Sequence, residues 1–413
     1  MIQWMIADNW IPYYYGEKLF LYDSSNKFNR VVCNQVEKDI ICEINNTHDY
    51  DKAINNILKE YNIAETNLKV KNKIEHYVRA LIGKRIIKAG NQSKIIYGKE
   101  NYYYPFSLSI ELTNSCNFFC SHCYKDAEPN KNVFLSKEVI KDICQVLSPY
   151  LYCMEITGGE PTIHPEFMEI IESVPVKDLR LITNGSILKN LSDSILIRFS
   201  SIQVSIYGSS CEEYRHYSKN DKFQDVLEGI QKAITAGCKI TAAIILRPNI
   251  IGRLEEYIFL LNKIGVRDIR FGVTLKIGRN NTSNSEWDLN YCQLVELAAE
   301  LQQIKPKYPL VNIVDIDPTE GFIKEKTAEG EKYIISCDGS DSNICISQSL
   351  TVRPCTTLPE SFFGICYWED YKRILFAQKK LNYDSAVNNC FQCLKAEGRR
   401  LDSLCPHAFE IKK

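Results

Sequence analysis

The sequence predicts an α/β protein in three parts: a partial (β/α)6 barrel, a small winged-helix-like domain before it and a cysteine-rich domain after it. Three observations predict this order. Between residues 107 and 304, strand-like apolar runs alternate with runs of helical spacing, the alternation that builds a parallel sheet with helices on its outer face. The first hundred residues read instead as a hairpin followed by three short helices. Beyond residue 311 seven of the 17 cysteines crowd together. A chain of 413 residues is long for one domain, and these patterns divide it into 1–98, 99–310 and 311–413.

In the first part, Lys18-Leu19-Phe20-Leu21-Tyr22, the polar turn Asp23-Ser24-Ser25-Asn26-Lys27 and Arg30-Val31-Val32-Cys33 read as strand, turn, strand. Helical spacing follows over 35–43, 51–61 and 68–82, the last with Val70, Ile74, Tyr77, Val78 and Leu81 on one face. Asp49 or Asp51 is suited to cap the second helix. Such a domain leaves a sheet edge able to take an extended peptide as an added strand. The alternatives are a domain that only packs on the barrel and a DNA-binding winged helix, for which no basic face is evident. Cys33 and Cys42 read as small apolar side chains.

In the second part, strands are expected at 107–113, 152–157, 178–184, 201–208, 239–246 and 268–275. Helices are expected between them at 136–147, 166–173, 188–198, 223–236 and 253–264, with 287–304 closing the series. Parallel barrels carry their chemistry at the carboxyl ends of the strands, and every end here is polar or glycine-rich. The first leads into Cys116-x3-Cys120-x2-Cys123, followed by Tyr124. The second leads into Gly158-Gly159-Glu160-Pro161, where paired glycines permit close backbone approach to a ligand and Glu160 offers an acceptor to an ammonium group. Asn184 follows the third strand, Ser205 lies on the fourth, and Arg215, a fixed cation suited to a carboxylate, lies beyond it. Leu246-Arg247-Pro248 ends the fifth and Ile277-Gly278-Arg279 follows the sixth. Cys144, Cys153, Cys211, Cys238 and Cys292 read as packing residues.

Three thiolates in one short loop suit one corner of an iron–sulfur cube and leave its fourth iron without a protein ligand. A fully ligated electron-transfer cluster takes four cysteines. Zinc is the competing reading, but it favours paired cysteines and four donors, and His122 lies between two of the cysteines, badly placed to complete a tetrahedron. The loop, with Gly-Gly-Glu-Pro one βα unit later, resembles the radical S-adenosylmethionine (SAM) superfamily. That resemblance implies a [4Fe-4S] cluster on Cys116, Cys120 and Cys123 whose open iron binds the amino and carboxylate groups of SAM. It places Tyr124, Gly158, Gly159, Glu160 and Pro161 around SAM, with the glutamate motif at the methionine amino group. Asn184, Ser205 and Arg215 are implied as further contacts, and Ile277, Gly278 and Arg279 near the adenine. It also implies an electron donor such as flavodoxin or ferredoxin, and a 5′-deoxyadenosyl radical that removes a substrate hydrogen atom. His122 and His164 read as local hydrogen-bonding residues, not acid–base catalysts.

After a further strand at 311–317, the third part holds Cys337, Cys345, Cys355, Cys366, Cys390, Cys393 and Cys405. Cys390-Phe391-Gln392-Cys393 is a chelating pair that Cys337 and Cys355, on either side of an expected hairpin, complete to four ligands for a second cluster or a structural zinc. Cys337-Asp338-Gly339 and Val352-Arg353-Pro354-Cys355 resemble the opening of the auxiliary-cluster extension called SPASM, or twitch in its short form. The long form carries more cysteines after its C-x2-C pair, where only Cys405 follows here. The resemblance implies one auxiliary iron–sulfur cluster on Cys337, Cys355, Cys390 and Cys393, with Cys345, Cys366 and Cys405 as alternates.

Residues 15–98 resemble the peptide-recognition element related to the small binding protein of pyrroloquinoline quinone biosynthesis. The three parts in this order resemble maturases of ribosomally made peptides. The Cys337-to-Cys355 spacing and the run Val273-Thr274-Leu275-Lys276-Ile277-Gly278-Arg279 look most like the thioether-forming sactipeptide synthases of the sporulation-killing-factor type. The implied partner is a precursor peptide, its leader bound by residues 15–98 and its core joined through a cysteine sulfur to a carbon of another residue. Carbon–carbon or carbon–oxygen cross-linking, epimerisation, activation of another enzyme, and a non-catalytic iron–sulfur protein are the alternatives.

Lys+Arg 50 against Asp+Glu 51 leaves a net charge of −1, which makes no global electrostatic case for nucleic acid. No apolar run approaches the length of a membrane span, and Met1-Ile2-Gln3-Trp4 lacks the basic and apolar regions of a secretory signal. The expected location is the cytoplasm, where 17 cysteines argue for metal clusters and buried thiols over disulfides, and for oxygen sensitivity.

Overall fold

The computed structural model describes residues 2–24, 30–274, 278–281, 286–314, 316, 322–327, 330–335, 343–356 and 366–381. The chain divides into two compact units, one made of Met1–Phe106, Pro149–Leu151 and Lys372–Leu381, the other of Ser107–Ser148, Tyr152–Tyr371 and Asn382–Lys413.

The first unit holds β1 (Trp4–Ile6), β2 (Trp10–Tyr15), β3 (Lys18–Asp23), β4 (Arg30–Val32), α1 (Gln35–Thr47), α2 (Tyr50–Glu60), α3 (Leu68–Gly83) and β5 (Ile87–Ala89). The expected hairpin forms as β3 and β4, and β2 joins it to make an antiparallel sheet in the order β2-β3-β4, while β1 pairs with β5. Sequence periodicity misses β2 because Trp10, Ile11, Pro12 and Tyr13 are all buried, so the strand shows no alternation. Each helix begins at a side-chain cap. Asn34 and Glu37 form a reciprocal capping box on α1, Asp49 accepts from the Lys52 amide at 2.9 Å on α2, and Asn67 caps α3. Helix α1 runs past its expected end because Ile44 and Asn45 continue its buried face, and the Asn45 amide bonds the Lys94 backbone in both directions. Ile40, Ile41, Ile44, Ile54, Leu58 and Leu81 close on Leu19 and Leu21 in one core. The outer side of β2 is occupied by Tyr97, which exchanges backbone bonds with Tyr14 and Pro12 at 2.9 and 3.0 Å. Among the described strands β4 pairs with β3 alone, so its far side is the edge of the ladder.

The second unit is built on β6 (Ser107–Glu111), β7 (Cys153–Thr157), β8 (Asp178–Thr183), β9 (Ser201–Ile206), β10 (Ile240–Ile245), β11 (Asp268–Gly272) and β12 (Asn312–Ile313), all parallel and adjacent in chain order. This is the expected α/β pattern, with a mostly parallel central sheet. Leu108, Ile110, Ile156, Leu181, Val204 and Ile244 are fully buried along it. Helices α4 (Lys137–Leu147), α5 (Phe167–Ser173), α8 (Phe223–Thr235) and α9 (Leu254–Lys263) lie where helical spacing puts them, and α10 (Tyr291–Ile304) starts late, at an Asn290–Gln293 capping box. Two stretches differ. The helix expected over 188–198 is a single 3-10 turn and the four-residue α6 (Asp193–Leu196), because Asn190, Ser192 and Asp193 favour turns and caps over helix interior. Helix α7 (Cys211–Ser218), capped by Ser210, was hidden by its polar composition.

Towards the C-terminus β13 (Phe322–Thr327) and β14 (Gly330–Ile335) form a separate antiparallel pair. The expected hairpin before Cys355 is present as β15 (Asn343–Ile346) and β16 (Thr351–Arg353), turning at Leu350 with φ 62°. Strand β15 pairs parallel with β6, and β16 and β17 (Cys366–Tyr367) extend the same sheet antiparallel. Helix α11 (Trp368–Phe376) follows, and its Trp368 indole donates to Asp142 at 2.6 Å. Cys144, Cys153 and Cys238 are buried as expected, but Cys211 and Cys292 are exposed on helix surfaces and are not packing residues. No helix among the described residues is long and apolar enough to cross a membrane.

The capping box makes the start of α1 depend on Asn34. Asn34→Ala is expected to cost about 1 kcal/mol and to speed amide exchange in the first turn of α1, while Asn34→Asp stays close to wild type. Hydrogen-exchange mass spectrometry of the full chain reads both.

Candidate cluster and cofactor site

Strand β6 ends at Glu111, and the chain then turns through Thr113 and Ser115 into the cysteine loop. The Thr113 hydroxyl accepts from the Ser115 amide at 2.9 Å, and the Cys116 amide donates to the Glu128 carbonyl at 3.2 Å. Cys116 and Cys120 are buried and Cys123 is half-buried.

The loop after β7 is laced to this turn through main chain. Gly159 N donates to Thr113 O at 2.7 Å and Glu160 N to Ser115 O at 2.8 Å. A Cβ on Gly159 would lie 2.1 Å from Ser115 O, and one on Gly158, whose φ is 141°, would lie 2.5 Å from Thr113 O. The close approach that these glycines permit is therefore to another stretch of backbone, the one leading into Cys116.

Glu160 is wholly buried. Its Oε1 accepts from Thr162 N at 3.1 Å, Thr162 Oγ1 at 2.5 Å and Thr183 Oγ1 at 2.7 Å, and its Oε2 from Asn184 N at 2.7 Å. Three donors crowd Oε1, while Oε2 takes only one among the described residues and keeps a second acceptor site. Burial pushes its carboxyl upward, opposed by the same bonds.

Asn184 carries the lacing one strand further. Its Nδ2 donates to Asn117 Oδ1 at 2.8 Å and points at Cys116 Sγ, 3.9 Å away, while its Oδ1 accepts from Ser186 N and Oγ at 2.9 and 2.7 Å. Arg279 fastens the other end of the loop. Its Nε donates to Cys120 O at 2.9 Å, its Nη2 to Ala127 O at 2.6 Å, and its Nη1 pairs with Asp126 at 2.9 Å, while its backbone N reaches Cys123 O at 3.0 Å. Gly278, at φ 61°, lets this approach happen, since its Cβ would fall 2.4 Å from Cys123 O. Ile277 lies outside the described residues, as do Cys337, Cys390, Cys393 and Cys405.

The remaining expected residues divide. Tyr124 is half-buried, and burial together with the Glu111 charge raises its hydroxyl pKa far above the ordinary value. Ser205 is half-buried on β9, beside the Tyr207 hydroxyl. Arg215 is 63% exposed on α7, where it pairs with Asp221 over an open surface pocket. The buried arginine is Arg247, after β10. It donates to Tyr207 O at 3.0 Å, Glu213 Oε1 at 2.8 Å and Tyr257 Oη at 2.7 Å, and its guanidinium stacks 3.8 Å over the Tyr217 ring. Sequence reasoning saw Arg247 at a strand end without giving it a role, and its partner Glu213 lies on the unforeseen α7. His164 is a local hydrogen-bonding residue as expected, its Nε2 lying 2.7 Å from Leu135 O and its Nδ1 accepting from Glu166 N. His122 sits against Trp287 and Tyr207 at 4.2 and 5.1 Å. Its Nδ1 is buried and finds no partner among the described residues, and burial with the charges of Arg247 and Arg279 lowers its pKa to about 3.

Burial, with the Glu160 charge beside it, pushes the Cys116 thiol up to about 12, and burial pushes the Cys120 thiol up against a hydrogen bond from Tyr207. Metal binding would have to exchange these protons for iron. Among the described residues no three His, Cys, Asp or Glu converge on one ion. Convergence is what mononuclear zinc requires; a cube asks each thiolate to meet a different iron. The donor set, soft, buried and held in a loop pinned at both ends, fits a cluster. Cys355 and Cys366 are half-buried, and Cys345 is buried with its sulfur 3.1 Å from Glu111 Oε1.

Residues 110–271 match the family described as the Radical SAM superfamily. Among curated proteins, the probable GTP 3′,8-cyclase of Saccharolobus islandicus (strain M.14.25 / Kamchatka #1) is 27% identical over 246 residues, covering 56% of this chain and 80% of its own. The GTP 3′,8-cyclase of Haemophilus influenzae (strain PittEE) is 32% identical over 160 residues, covering 37% and 47%. Among solved structures, Streptococcus suis SuiB bound to S-adenosylmethionine superposes with a TM-score of 0.60 at 12% identity, over 90% of this chain and 87% of SuiB. SuiB bound to its precursor peptide SuiA gives 0.59 at 13%, over 86% and 83%. At such identities the likeness is one of fold.

Two outcomes follow from the geometry. Gly159→Ala drives a methyl into the Ser115 carbonyl and is expected to leave only a small fraction of the wild-type iron after reconstitution. Gly83→Ala, where an added methyl meets nothing, leaves iron content unchanged. His122 has a folded pKa below its unfolded value of 6.5, so its contribution is complete above pH 6.5 and is lost as pH falls towards about 3. His122→Gln is expected to flatten that acid limb in urea titrations of the metal-free chain.

Proposed function

From a chain whose residues 110–271 match the Radical SAM superfamily, we propose a maturase of a ribosomally made peptide that forms an intrapeptide thioether. Cys116, Cys120 and Cys123 hold the [4Fe-4S] cluster, and SAM binds beside them among Tyr124, the Gly158–Pro161 turn, Asn184, Ser205 and the 277–279 segment. Bound there, cluster and SAM supply one-electron reductive chemistry that yields a hydrogen-abstracting radical. Glu160 and Arg279 act by holding the cysteine loop in place, because their polar atoms are engaged with it and with the neighbouring loops. The buried flank formed by Phe118, Tyr207, Tyr214 and Trp287 keeps water from the loop.

The observation that carries the peptide reading is the second unit's pinned three-cysteine loop in the same chain as a helix-and-sheet unit whose β4 edge pairs with no further described strand. An extended leader peptide adds to such an edge through main-chain bonds, which raises the local concentration of the core segment attached to it. The fold likeness to SuiB supports the reading because it runs over 90% of this chain, well beyond the barrel. Thioether formation removes two hydrogens from the peptide, one as an atom and one as the thiol proton. It also leaves one electron to be taken up; Cys337, Cys355, Cys390 and Cys393 would hold an auxiliary cluster, which would supply an electron acceptor. The reduced electron donor is a flavodoxin or ferredoxin. A second reading, a nucleotide cyclase, is favoured by the 27% identity to the GTP 3′,8-cyclases.

Anaerobic co-expression with a candidate precursor, followed by high-resolution mass spectrometry with and without thiol alkylation, separates these readings. Loss of two hydrogens with loss of one alkylatable thiol is the expected result. Loss of two hydrogens with every thiol still reactive means a carbon–carbon or carbon–oxygen cross-link. An unmodified peptide alongside conversion of GTP by the reduced enzyme means a cyclase.

A further inference from the structure

A buried group of charges lies at the foot of the cysteine loop, and nothing in the function above uses it. Glu111, the last residue of β6, is 3% exposed, and its Oε1 accepts from Lys125 Nζ, from Arg353 Nη2 at 2.6 Å and from Cys345 Sγ at 3.1 Å. Lys125 stands two residues after Cys123, and it also donates to the Thr356 carbonyl at 2.6 Å, next to Cys355. Arg353 closes β16, 4% exposed, with Nη2 3.7 Å from the Cys345 sulfur.

The group joins the strand before the loop, the residues after the loop, and a hairpin more than 230 positions away. One carboxylate faces two cations. Removing it leaves two like charges in a dry site, a situation that proteins tolerate badly; removing one cation with it leaves only a lysine, whose long stem can carry its charge towards water. Cys345 is fixed within this group by more than its sulfur. Its backbone is paired on both sides, with Ser109 of β6 and with Arg353 of β16, so it is not free to move to a metal elsewhere.

We propose that Glu111 is the keystone of a clamp that sets the β15–β16 hairpin, and with it Cys355, in register with the cysteine loop. Cys345 belongs to this clamp and ligates no metal. The proposal rests on the reading of Cys116, Cys120 and Cys123 as cluster ligands. Glu111, Lys125 and Arg353 are positioning residues, acting on the two cysteine groups through the segments that carry them.

The test uses full-length protein reconstituted anaerobically, comparing wild type with C345S, E111Q and E111Q/R353M. Iron and sulfide are measured, together with the electron paramagnetic resonance signal of the reduced protein before and after SAM, and the 5′-deoxyadenosine released without peptide product. C345S is expected to keep the wild-type iron and sulfide. E111Q is expected to change the SAM-induced signal and to raise unproductive 5′-deoxyadenosine several-fold, and E111Q/R353M to return both towards wild type. If E111Q does not accumulate in soluble form, a soluble E111Q/R353M carries the same meaning. A C345S protein short of about four irons, one cube, would make Cys345 a ligand and overturn its assignment. E111Q indistinguishable from wild type, or a double variant worse than the single one, would overturn the clamp. Wild-type iron in a C116A/C120A/C123A protein would instead remove the cluster reading itself, an outcome separate from these.

Discussion

Two stretches of backbone that touch with no side chain between them hold the candidate site together. The amides of Gly159 and Glu160 donate to the carbonyls of Thr113 and Ser115 at 2.7 and 2.8 Å. A contact between side chains can be repacked, but a contact between peptide groups admits only glycine on the side where a Cβ would fall 2.1 Å from a carbonyl oxygen. From this junction the rest follows in sequence. Glu160, the next residue, is carried inward and ties the end of β7 to Thr183 and Asn184 at the end of β8. Asn184 then reaches Asn117 inside the cysteine loop. Three strand ends are locked by one run of bonds, and the cysteines hang from the first of them.

Buried charge beside the parallel strands of this unit lies at their carboxyl ends. Glu111 ends β6, Glu160 follows β7, Glu213 follows β9 and Arg247 follows β10, all buried. The strands themselves bury leucine, isoleucine and valine. A low-dielectric interior makes each of these groups costly unless it is fully partnered, and a parallel sheet leaves its loops free to carry function on one face. The dense hydrogen bonding at the strand ends answers both constraints at once.

The parallel sheet was legible in the sequence because its strands alternate with runs of helical spacing, and because glycine pairs and clustered cysteines announce themselves. The placement of the three cysteines after β6 and of Asn184 after β8 could be read directly. What the residues at these positions touch could not. Gly158 and Gly159, expected beside a ligand, make room for the backbone of Thr113 and Ser115. Glu160 and Arg279 were expected at the cofactor, and their bonds go to the loops around it. Arg215, the arginine chosen for a carboxylate, is at the surface, while Arg247 is enclosed. Strand β2 and helix α7 were missed for opposite reasons, one buried on both faces and the other mostly polar. The contacts of Gly158, Gly159, Glu160, Arg247 and Arg279 turn on partners distant in the chain, which local periodicity does not carry.

Strand β6, which bears the cysteine loop, borders β7 on one side and β15 on the other, and β15 begins 236 residues after β6. A nascent chain emerges from its N-terminus at about 5–20 residues per second, so this edge stands unpaired for on the order of 10–50 s. During that interval the strand exposes main-chain donors and acceptors of the kind that invite misassociation. It is also the interval in which Glu111 has not yet received Arg353. A circularly permuted chain that made residues 343–353 first would have this partner waiting when β6 emerged.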